Sequence, residues 1–567
     1  MRRLIPAPIA VFMSSAIALF ALGSASHLPD VKSAHDNAFA IFNSIHSAMR
    51  QWGSSVHHNG LSFYLATAPE GSVFYHGGFS RDRPVSFEWL AFEIEHAAQF
   101  AASLEPREDF QTESTHNEQI LRTLLRYRSS HAKPSSDHTL SPESYDKASS
   151  QRPLATAEDE DDEDPPSGPL GFDKMVRGYL QLYRANRPLN LLYIDGQAAA
   201  KCPLGSLDSQ DLILLGHNEV NSSGRMYGEM ARAEQMCALA EEWKHPNGSK
   251  IDGFVRMEAG FEIIYCDFSE KGGLDLASVQ ASSFQNETGV QPYEIGTVFE
   301  WLRASAARFH GHPAGRVEID WSSMVSAFSY PMNLSNPDWH RQDLPRALNA
   351  TMESRLAVRG RLRDVFLARG AQEVPQRKLI NWQGVVDRIV TRFSERLRYI
   401  VNNQWAHDQL LVALGSMVDP HISYTDRSPM SEHLAIERCT QHYLDPSLLR
   451  PETWTPEDHA IATALETVSR SICDTIFLAR RVLRANDTMT PGCDDAVEEA
   501  QQIIVDLTER LRWSTWRECD RCPSPDEICS IPMFPTGDSE EDYFHPSCKN
   551  ITQILRSFGY WQLELRV

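Results

Sequence analysis

The 567-residue sequence lacks the short motifs that mark several large enzyme classes. It contains no Gly-x-Ser-x-Gly, no His-Glu-x-x-His, no Gly-x-x-x-x-Gly-Lys-Ser/Thr and no Gly-x-Gly-x-x-Gly. These patterns build the serine nucleophile elbow, the zinc-protease helix and the two common phosphate-binding loops. Their absence excludes the standard forms of those enzymes and leaves atypical ones open.

Long apolar runs and positive charge are also scarce. After residue 25 no apolar run reaches the roughly 18 residues that a membrane span needs. The chain has 54 Lys and Arg against 76 Asp and Glu, a formal net charge of −22. An acidic chain without a basic stripe argues against nucleic acid or an anionic membrane as the main partner. The expected partner is therefore an unidentified protein or acceptor.

The N-terminus is typical of a secretory signal peptide spanning residues 1–25. Arg2 and Arg3 precede an apolar stretch, and the small residues up to Ala25 suit a signal peptidase. An uncleaved N-terminal anchor is the alternative. Seven Asn-x-Ser/Thr sequons support secretion and N-glycosylation; they begin at Asn221, Asn247, Asn286, Asn333, Asn349, Asn486 and Asn550. We therefore expect an extracellular protein.

Ten cysteines in such a chain indicate disulfide bonds. They are Cys202, Cys237, Cys266, Cys439, Cys473, Cys493, Cys519, Cys522, Cys529 and Cys548. Three lie in the N-terminal half and seven in the C-terminal half, so either one bridge joins the halves or each half keeps an unpaired thiol. The last four cysteines also have a spacing that a zinc site can use.

The chain divides into an α+β part at 40–290 and a mainly helical part at 291–567. Within the first part, 129–168 is rich in Ser, Pro and acidic residues and contains the run Glu158–Asp164, which predicts a disordered acidic insertion. The remaining pattern predicts a strand pair at 61–75, a helix at 93–104, a strand hairpin at 178–194, a helix at 226–243 and a strand pair at 252–268. Helical periodicity in the second part predicts helices at 293–309, 344–368, 382–401, 456–484 and 494–516.

Four short segments of the first part follow one another in an order that is typical of a known superfamily. Tyr75-His76-Gly77 ends a strand, Trp89 leads through His96 into a helix, a hairpin carries Arg187-Pro188-Leu189, and a last strand carries Glu262. Over residues 55–285 this order resembles the ADP-ribosyltransferase-like superfamily, in its branch with a His, an aromatic residue and a Glu. The chain is also similar to large secreted fungal proteins of unassigned function. The resemblance implies a split β-sheet domain that the acidic insertion interrupts.

The resemblance also implies NAD as the cofactor, with ADP-ribosyl transfer or NAD glycohydrolysis as the activity. Glu262 would stabilise the oxocarbenium-like ribose and His76 would hold the adenine-side ribose as the second catalytic residue. Gly77 would approach the nicotinamide amide, and Trp89 would stack on the nicotinamide ring. Glu258 is a rival for the role of Glu262.

Other interpretations stay open. Gly260 stands where arginine-specific members carry a second acid, so arginine modification is not expected. Glu93, Glu95 and His96 fit the start of a helix, where acidic residues are favoured by the helix dipole. A catalytically inactive secreted glycoprotein that acts through protein–protein interaction is the main alternative. A hydrolase built on an unrecognised carboxylate or His pair is a third hypothesis.

Overall fold

The computed structural model describes twelve segments of the chain. They are residues 28–106, 172–200, 204–217, 228–282, 295–308, 316–370, 380–426, 428–444, 451–485, 493–519, 521–530 and 540–556. The predicted signal peptide at 1–25 and the predicted insertion at 129–168 lie outside these residues. So do Cys202 and the sequon asparagines Asn221, Asn286 and Asn486.

Nine of the described strands form one large mixed sheet. The described strands are β1 (Asn59–Ala68), β2 (Val73–Gly78), β3 (Glu88–Ala91), β4 (Ala102–Pro106), β5 (Phe172–Arg177), β6 (Tyr179–Ala185), β7 (Leu189–Gly196), β8 (Gly253–Glu258), β9 (Gly260–Tyr265), β10 (Leu274–Ala281), β11 (Glu318–Ser326), β12 (Glu527–Ser530) and β13 (Ser547–Asn550). The order in the large sheet is β10-β6-β2-β3-β9-β8-β7-β1-β11. Only the pair β7–β8 among these is parallel. β4 pairs with β5 and β12 with β13 in two small ribbons.

Helices flank the sheet and form most of the C-terminal region. They are α1 (Val31–Asp36), α2 (Ala38–Ser47), α3 (Gln51–Val56), α4 (Ile94–Ala98), α5 (Glu229–Glu242), α6 (Ile295–Arg308), α7 (Met352–Gly370), α8 (Trp382–Asn402), α9 (His407–Val418), α10 (Ser431–Gln441), α11 (Pro456–Ala485), α12 (Cys493–Leu511), α13 (Glu540–Phe544) and α14 (Ile551–Arg556), with a π-helix at Ser209–Leu214. None of the described helices is long and apolar enough to cross a membrane. The predicted α+β class with a helical C-terminal region is confirmed.

Several predicted strand pairings are wrong. The strands predicted at 178–194 exist as β6 and β7, but β6 pairs with β2 and β10 while β7 pairs with β1 and β8. β1 and β2 likewise lie apart in the sheet. Alternating apolar residues identify a strand but not its partner, because every buried strand offers the same ladder of backbone groups. The hairpin predicted at 252–268 is correct, since β8 pairs with β9.

The sheet and its core extend past residue 290. β11 comes from the predicted helical part and pairs with β1 at the sheet edge. α2, near the start of the chain, packs on β7 and on α11. A single hydrophobic cluster includes Tyr193 of the sheet and Leu465 of α11. The two predicted parts therefore share a core in the described residues. The predicted helix at 93–104 is shorter than expected, because α4 ends at Ala98 and β4 begins at Ala102.

Among the described residues, four disulfide bonds join eight cysteines. They are Cys237–Cys266, Cys439–Cys473, Cys519–Cys529 and Cys522–Cys548. The four C-terminal cysteines that could have formed a zinc site are thus paired with each other. The side chain of Cys493 is not among those described.

Candidate functional site

The β8–β9 hairpin places three charged side chains on one face of the sheet. Arg256 stands directly opposite Glu262, and Glu258 lies two residues further along β8. Side chains alternate between faces along a strand, so all three point to the same side. A single residue, Ala259, separates the two strands, and Gly260 follows it with φ +97°. This tight turn needs glycine because the left-handed region disfavours a Cβ.

The same face carries α4. Ala91 of β3 pairs with Glu262, and Tyr75 of β2 pairs with Ala91. We call the side of the sheet that bears Tyr75, Ala91 and Glu262 the α4 face. A Cβ on Gly77 would collide with the carbonyl oxygen of Ala97, so Gly77 allows α4 to lie directly on β2. This close packing brings His96 of α4 over the end of the β8–β9 hairpin.

His96, Glu258 and Glu262 form a buried cluster. One ligand atom from each of the three side chains lies within 4.8 Å of those of the other two. Nε2 of His96 is 3.6 Å from Oε1 of Glu258. The three residues are 1%, 2% and 4% exposed, respectively. Within the described part of the chain, neither ring nitrogen of His96 has a hydrogen-bond partner, which is unusual for a buried polar group.

α6 and α3 hold this cluster from two sides. The indole of Trp301 stacks on the His96 ring with centroids 5.0 Å apart, and its Nε1 donates to the carbonyl oxygen of Ala259 at 2.7 Å. The Gln51 side chain donates to the Glu258 carbonyl at 2.7 Å and accepts from the Gly260 amide at 2.8 Å. The turn and the ring above it are therefore fixed by neighbouring elements, as a preorganised site requires.

A network of alternating charges runs from Glu262 into α5. Nε of Arg256 donates to Oε1 of Glu262 at 2.9 Å, and the same guanidinium contacts Glu229. Arg232 donates to Glu229 at 2.8 Å and to Asp211 at 2.6 Å. Both arginines and both glutamates are buried. The network fixes the orientation of the Glu262 carboxylate.

The charges of this network keep Arg256 ionised. Burial opposes the charged form of the guanidinium, but the Glu229 and Glu262 carboxylates outweigh it and raise the pKa of Arg256. Burial also opposes the charged form of Arg232, but the Asp211 and Glu229 carboxylates outweigh it and raise the pKa of Arg232. Arg256 is therefore a permanent buried cation beside the cluster.

The structure does not bring His76 to Glu262. His76 follows Tyr75 on β2, so its side chain lies on the opposite face of the sheet from Glu262. There its Nδ1 contacts the carbonyl oxygen of Trp89 at 2.9 Å, and the residue is 1% exposed. Trp89 shares the α4 face with Glu262, but it is 3% exposed and packs against Phe87. The predicted catalytic and NAD-binding roles of His76, Gly77, Trp89 and Glu262 stay predictions.

Sequence reasoning missed the partners of Glu262. In sequence, His96 fits the start of a helix together with Glu93 and Glu95. Glu93 does occupy the N-cap position of α4, where its carboxylate contacts Arg316 at 3.2 Å. The sequence alone offers Glu258 only as a rival for the role of Glu262. The even spacing of Arg256, Glu258 and Glu262 carried a signal, because a hairpin with a one-residue turn places all three on one face.

Four sequon asparagines lie in the described residues. Asn247, Asn333 and Asn349 are exposed, and Asn550 is half-buried. The amide nitrogen of Asn247 donates to the Gly370 carbonyl at 2.9 Å.

Comparison with known proteins gives relatives without an assigned activity. Residues 30–295 match the family profile described as the YPL277C N-terminal domain. The chain is 25% identical over 588 residues to the uncharacterized protein YOR389W of Saccharomyces cerevisiae, covering 88% of this chain and 82% of that protein. It is 27% identical over 438 residues to the uncharacterized protein YPL277C of the same organism, covering 65% and 75%. No solved structure matches the chain. These matches support a relationship between this chain and a fungal protein family whose function is not assigned.

Proposed function

We propose that this protein is a secreted, N-glycosylated protein that holds one divalent transition-metal ion between His96, Glu258 and Glu262. The observation that carries the proposal is that ligand atoms of these three buried side chains lie within 4.8 Å of one another. Two ligands held about 2.1 Å from a tetrahedral ion lie about 3.4 Å apart. The 3.6 Å between Nε2 of His96 and Oε1 of Glu258 is close to that separation.

The ligand types favour a transition metal. One imidazole and two carboxylates suit Zn²⁺, Mn²⁺ or Fe²⁺, whereas Mg²⁺ and Ca²⁺ prefer oxygen ligands alone. Zn²⁺ is the first ion to test. Coordination would also give a partner to one nitrogen of the His96 ring, neither of which has a hydrogen-bond partner among the described residues.

The burial of the ligands favours a stabilising role for the ion. Structural metal sites are closed by protein, whereas catalytic sites keep a position open to water or substrate. The ligand residues are at most 4% exposed. An ion at this site would tie α4 to the β8–β9 hairpin, and its binding free energy would add to the stability of the fold.

Secretion is supported by the chain's surface and its disulfides. The sequon asparagines Asn247, Asn333 and Asn349 are accessible to a glycosyltransferase. Four disulfide bonds suit an oxidising compartment. The test is the mass lost when the secreted protein is treated with an N-glycosidase; an unchanged mass would contradict this part of the proposal.

Metal analysis of the full-length secreted protein tests the site. We expect close to one equivalent of a divalent transition metal in the wild type. His96→Phe and the isosteric Glu258→Gln should both lose it, while His76→Gln, a change at a buried histidine on the opposite face, should keep it. If folded Glu258→Gln and His96→Phe both retained the metal, the proposal would be contradicted. A metal-free wild type that takes up no Zn²⁺ on dialysis would contradict it as well.

NAD-dependent chemistry at Glu262 is the second candidate function, as the ADP-ribosyltransferase resemblance implies. The observation that favours it is that Trp89 and Glu262, the residues predicted to stack on the nicotinamide and to stabilise the ribose, lie on the same face of the sheet. Cleavage of a fluorescent NAD analogue by the wild type and its loss in Glu262→Gln, with His76→Gln still active, would support a site on the α4 face. Equal activity of Glu262→Gln and wild type, or no cleavage by either, would reject it.

A further inference from the structure

A cavity of about 380 Å³ lies between the N-terminal helices and the loop before α7, and its wall contains none of His96, Glu258 and Glu262. Its wall includes α2, the α3–β1 connection, residues 332–345 and the end of α12. The volume is within the range of small-ligand pockets, about 300–1,000 Å³.

Three side chains in the wall carry a buried acceptor without a hydrogen-bond partner among the described residues. The atoms are Oδ1 of Asn43, Oδ1 of Asn59 and Nε2 of His57. Each atom is itself screened from water, and the residue that carries it lines the cavity. Buried polar atoms without partners are rare in native proteins, and a bound ligand is one reason for them.

Neighbouring contacts fix these atoms as acceptors. The amide nitrogen of Asn59 donates to the carbonyl oxygens of Leu204 at 2.7 Å and Pro345 at 3.0 Å. The atom of this side chain that can still form a hydrogen bond is therefore its oxygen, Oδ1, which is an acceptor. The amide nitrogen of Asn43 donates to the Leu511 carbonyl at 3.0 Å in the same way.

His57 is a neutral acceptor as well. Burial, followed by the charges of Arg512 and Arg517, holds its pKa well below the usual 6.5. The Arg512 backbone takes part in a hydrogen bond with the ring, and Nε2 has no hydrogen-bond partner in the part of the chain that the structure describes. A neutral imidazole that donates from one nitrogen offers a lone pair on the other.

The charged residues of the wall select against ionic ligands. The negative charges of Asp36 and Asp343 would repel an anion, and the positive charges of Arg510 and Arg512 would repel a cation. Burial opposes ionisation of Asp343, but the Arg341 hydrogen bond and the Arg341 and Arg512 charges outweigh it and lower the pKa of Asp343. The wall is therefore balanced in charge and rich in acceptors.

We infer that this cavity binds a neutral polyhydroxyl ligand of hexose size. The hydroxyl groups of such a ligand donate hydrogen bonds to the acceptor atoms of Asn43, His57 and Asn59. The hydroxyl oxygens accept hydrogen bonds from Arg510 and Arg512. Phe39 and Phe328 give the wall apolar surface for the C–H face of a sugar ring. Inorganic phosphate offers fewer hydroxyl donors than a hexose and carries a negative charge, and a protonated alkylamine offers no acceptors.

Filling the cavity tests this inference without changing its polar groups. Ala40→Phe fills it from α2, and Leu334→Phe fills it from the opposite wall in case the first variant does not fold. Ala413→Phe on α9 is the control, because Ala413 is half-buried and outside the cavity wall. All four full-length proteins are titrated by calorimetry with glucose, mannose, N-acetylglucosamine, inorganic phosphate and putrescine.

We expect saturable binding of at least one sugar to the wild type and to Ala413→Phe, weakened at least tenfold in the folded filling variant. Unchanged sugar binding in both folded filling variants would overturn the inference. So would binding of phosphate or putrescine alone that the filling variants lose, and so would no binding of any sugar at millimolar concentration.

Discussion

Arg256 and Glu262 face each other across the β8–β9 ladder, with Nε of Arg256 2.9 Å from Oε1 of Glu262. Glu262 thereby belongs to two groups of side chains at once. One is the candidate metal cluster with His96 and Glu258, and the other is the charge network that leads through Glu229 to α5. The pair connects the stability of the sheet to the geometry of the candidate site.

Removing Arg256 should destabilise the protein strongly. Arg256→Met leaves the buried Glu229 and Glu262 without the cation that both contact, and breaking a buried ion pair costs about 3–5 kcal/mol. We expect urea unfolding to show a loss of that size. Arg438→Met is a suitable control because its guanidinium makes an exposed hydrogen bond to the His421 carbonyl.

The double variant Arg256→Met/Glu262→Gln sharpens this prediction. Removing both charges of a buried pair costs less than removing one, so the double variant should be less destabilised than the sum of the two single changes. Additive losses would show that the two side chains do not interact and would contradict the network.

Gly260→Ala should damage both the fold and the metal site. The alanine would have to adopt a φ of +97°. Its Cβ would lie 2.8 Å from Oγ of Ser305 and 3.2 Å from Nδ1 of His96. Gly71→Ala is the matched control, because Gly71 has φ +87° and open space around the Cβ position. The control should lose about 1–2 kcal/mol from backbone strain alone. Gly260→Ala should lose about 1–3 kcal/mol more from overpacking, and its metal content should fall. Equal losses in the two variants would contradict the close packing of α6 and α4 on this turn.

The extent to which the sequence anticipates the structure depends on the range of the interactions. The helix predicted at 382–401 and the hairpin at 252–268 are nearly correct, because periodicity and a short turn are local properties. The pairing of β1 with β11 joins residues more than 250 positions apart, and no local pattern encodes it. Glu262 can be identified from the pattern of its own strand. His96 comes close to Glu262 only because Gly77 lets α4 pack directly on the sheet, and no local pattern predicts that contact.

The Cys237–Cys266 disulfide should support the same region. It joins α5 to the end of β9 across 29 residues, so it holds Glu229 and Arg232 near the hairpin. Loop-closure entropy predicts a loss of about 3–4 kcal/mol in the double Cys→Ser variant. The Cys519–Cys529 bridge closes only 10 residues and should cost less, about 2–3 kcal/mol. Thermal unfolding of both variants measures the difference, and an equal or larger effect at Cys519–Cys529 would contradict the expectation.

Asp195 should make the stability of the protein depend on pH between about 4 and 7. Burial raises the pKa of Asp195 from 3.8 to about 7, although hydrogen bonds from the Gly196 backbone, Ser44 and Tyr193 partly oppose the rise. The folded state then binds the proton more tightly than the unfolded chain. Asp195 therefore stabilises the fold below about pH 4, and this contribution is lost as the pH rises to 7.

Asp195→Asn removes that dependence. Each unit of pKa difference corresponds to about 1.4 kcal/mol, so the variant should gain several kcal/mol relative to the wild type as the pH rises from 4 to 7. Burial lowers the pKa of His46 to about 4 and of His58 to about 3, which gives the opposite slope below pH 6.5. Both histidines are present in both proteins, so their effect cancels when the two unfolding free energies are subtracted at each pH. A difference that stays constant across this range would show that Asp195 titrates in the folded protein as it does in the unfolded chain.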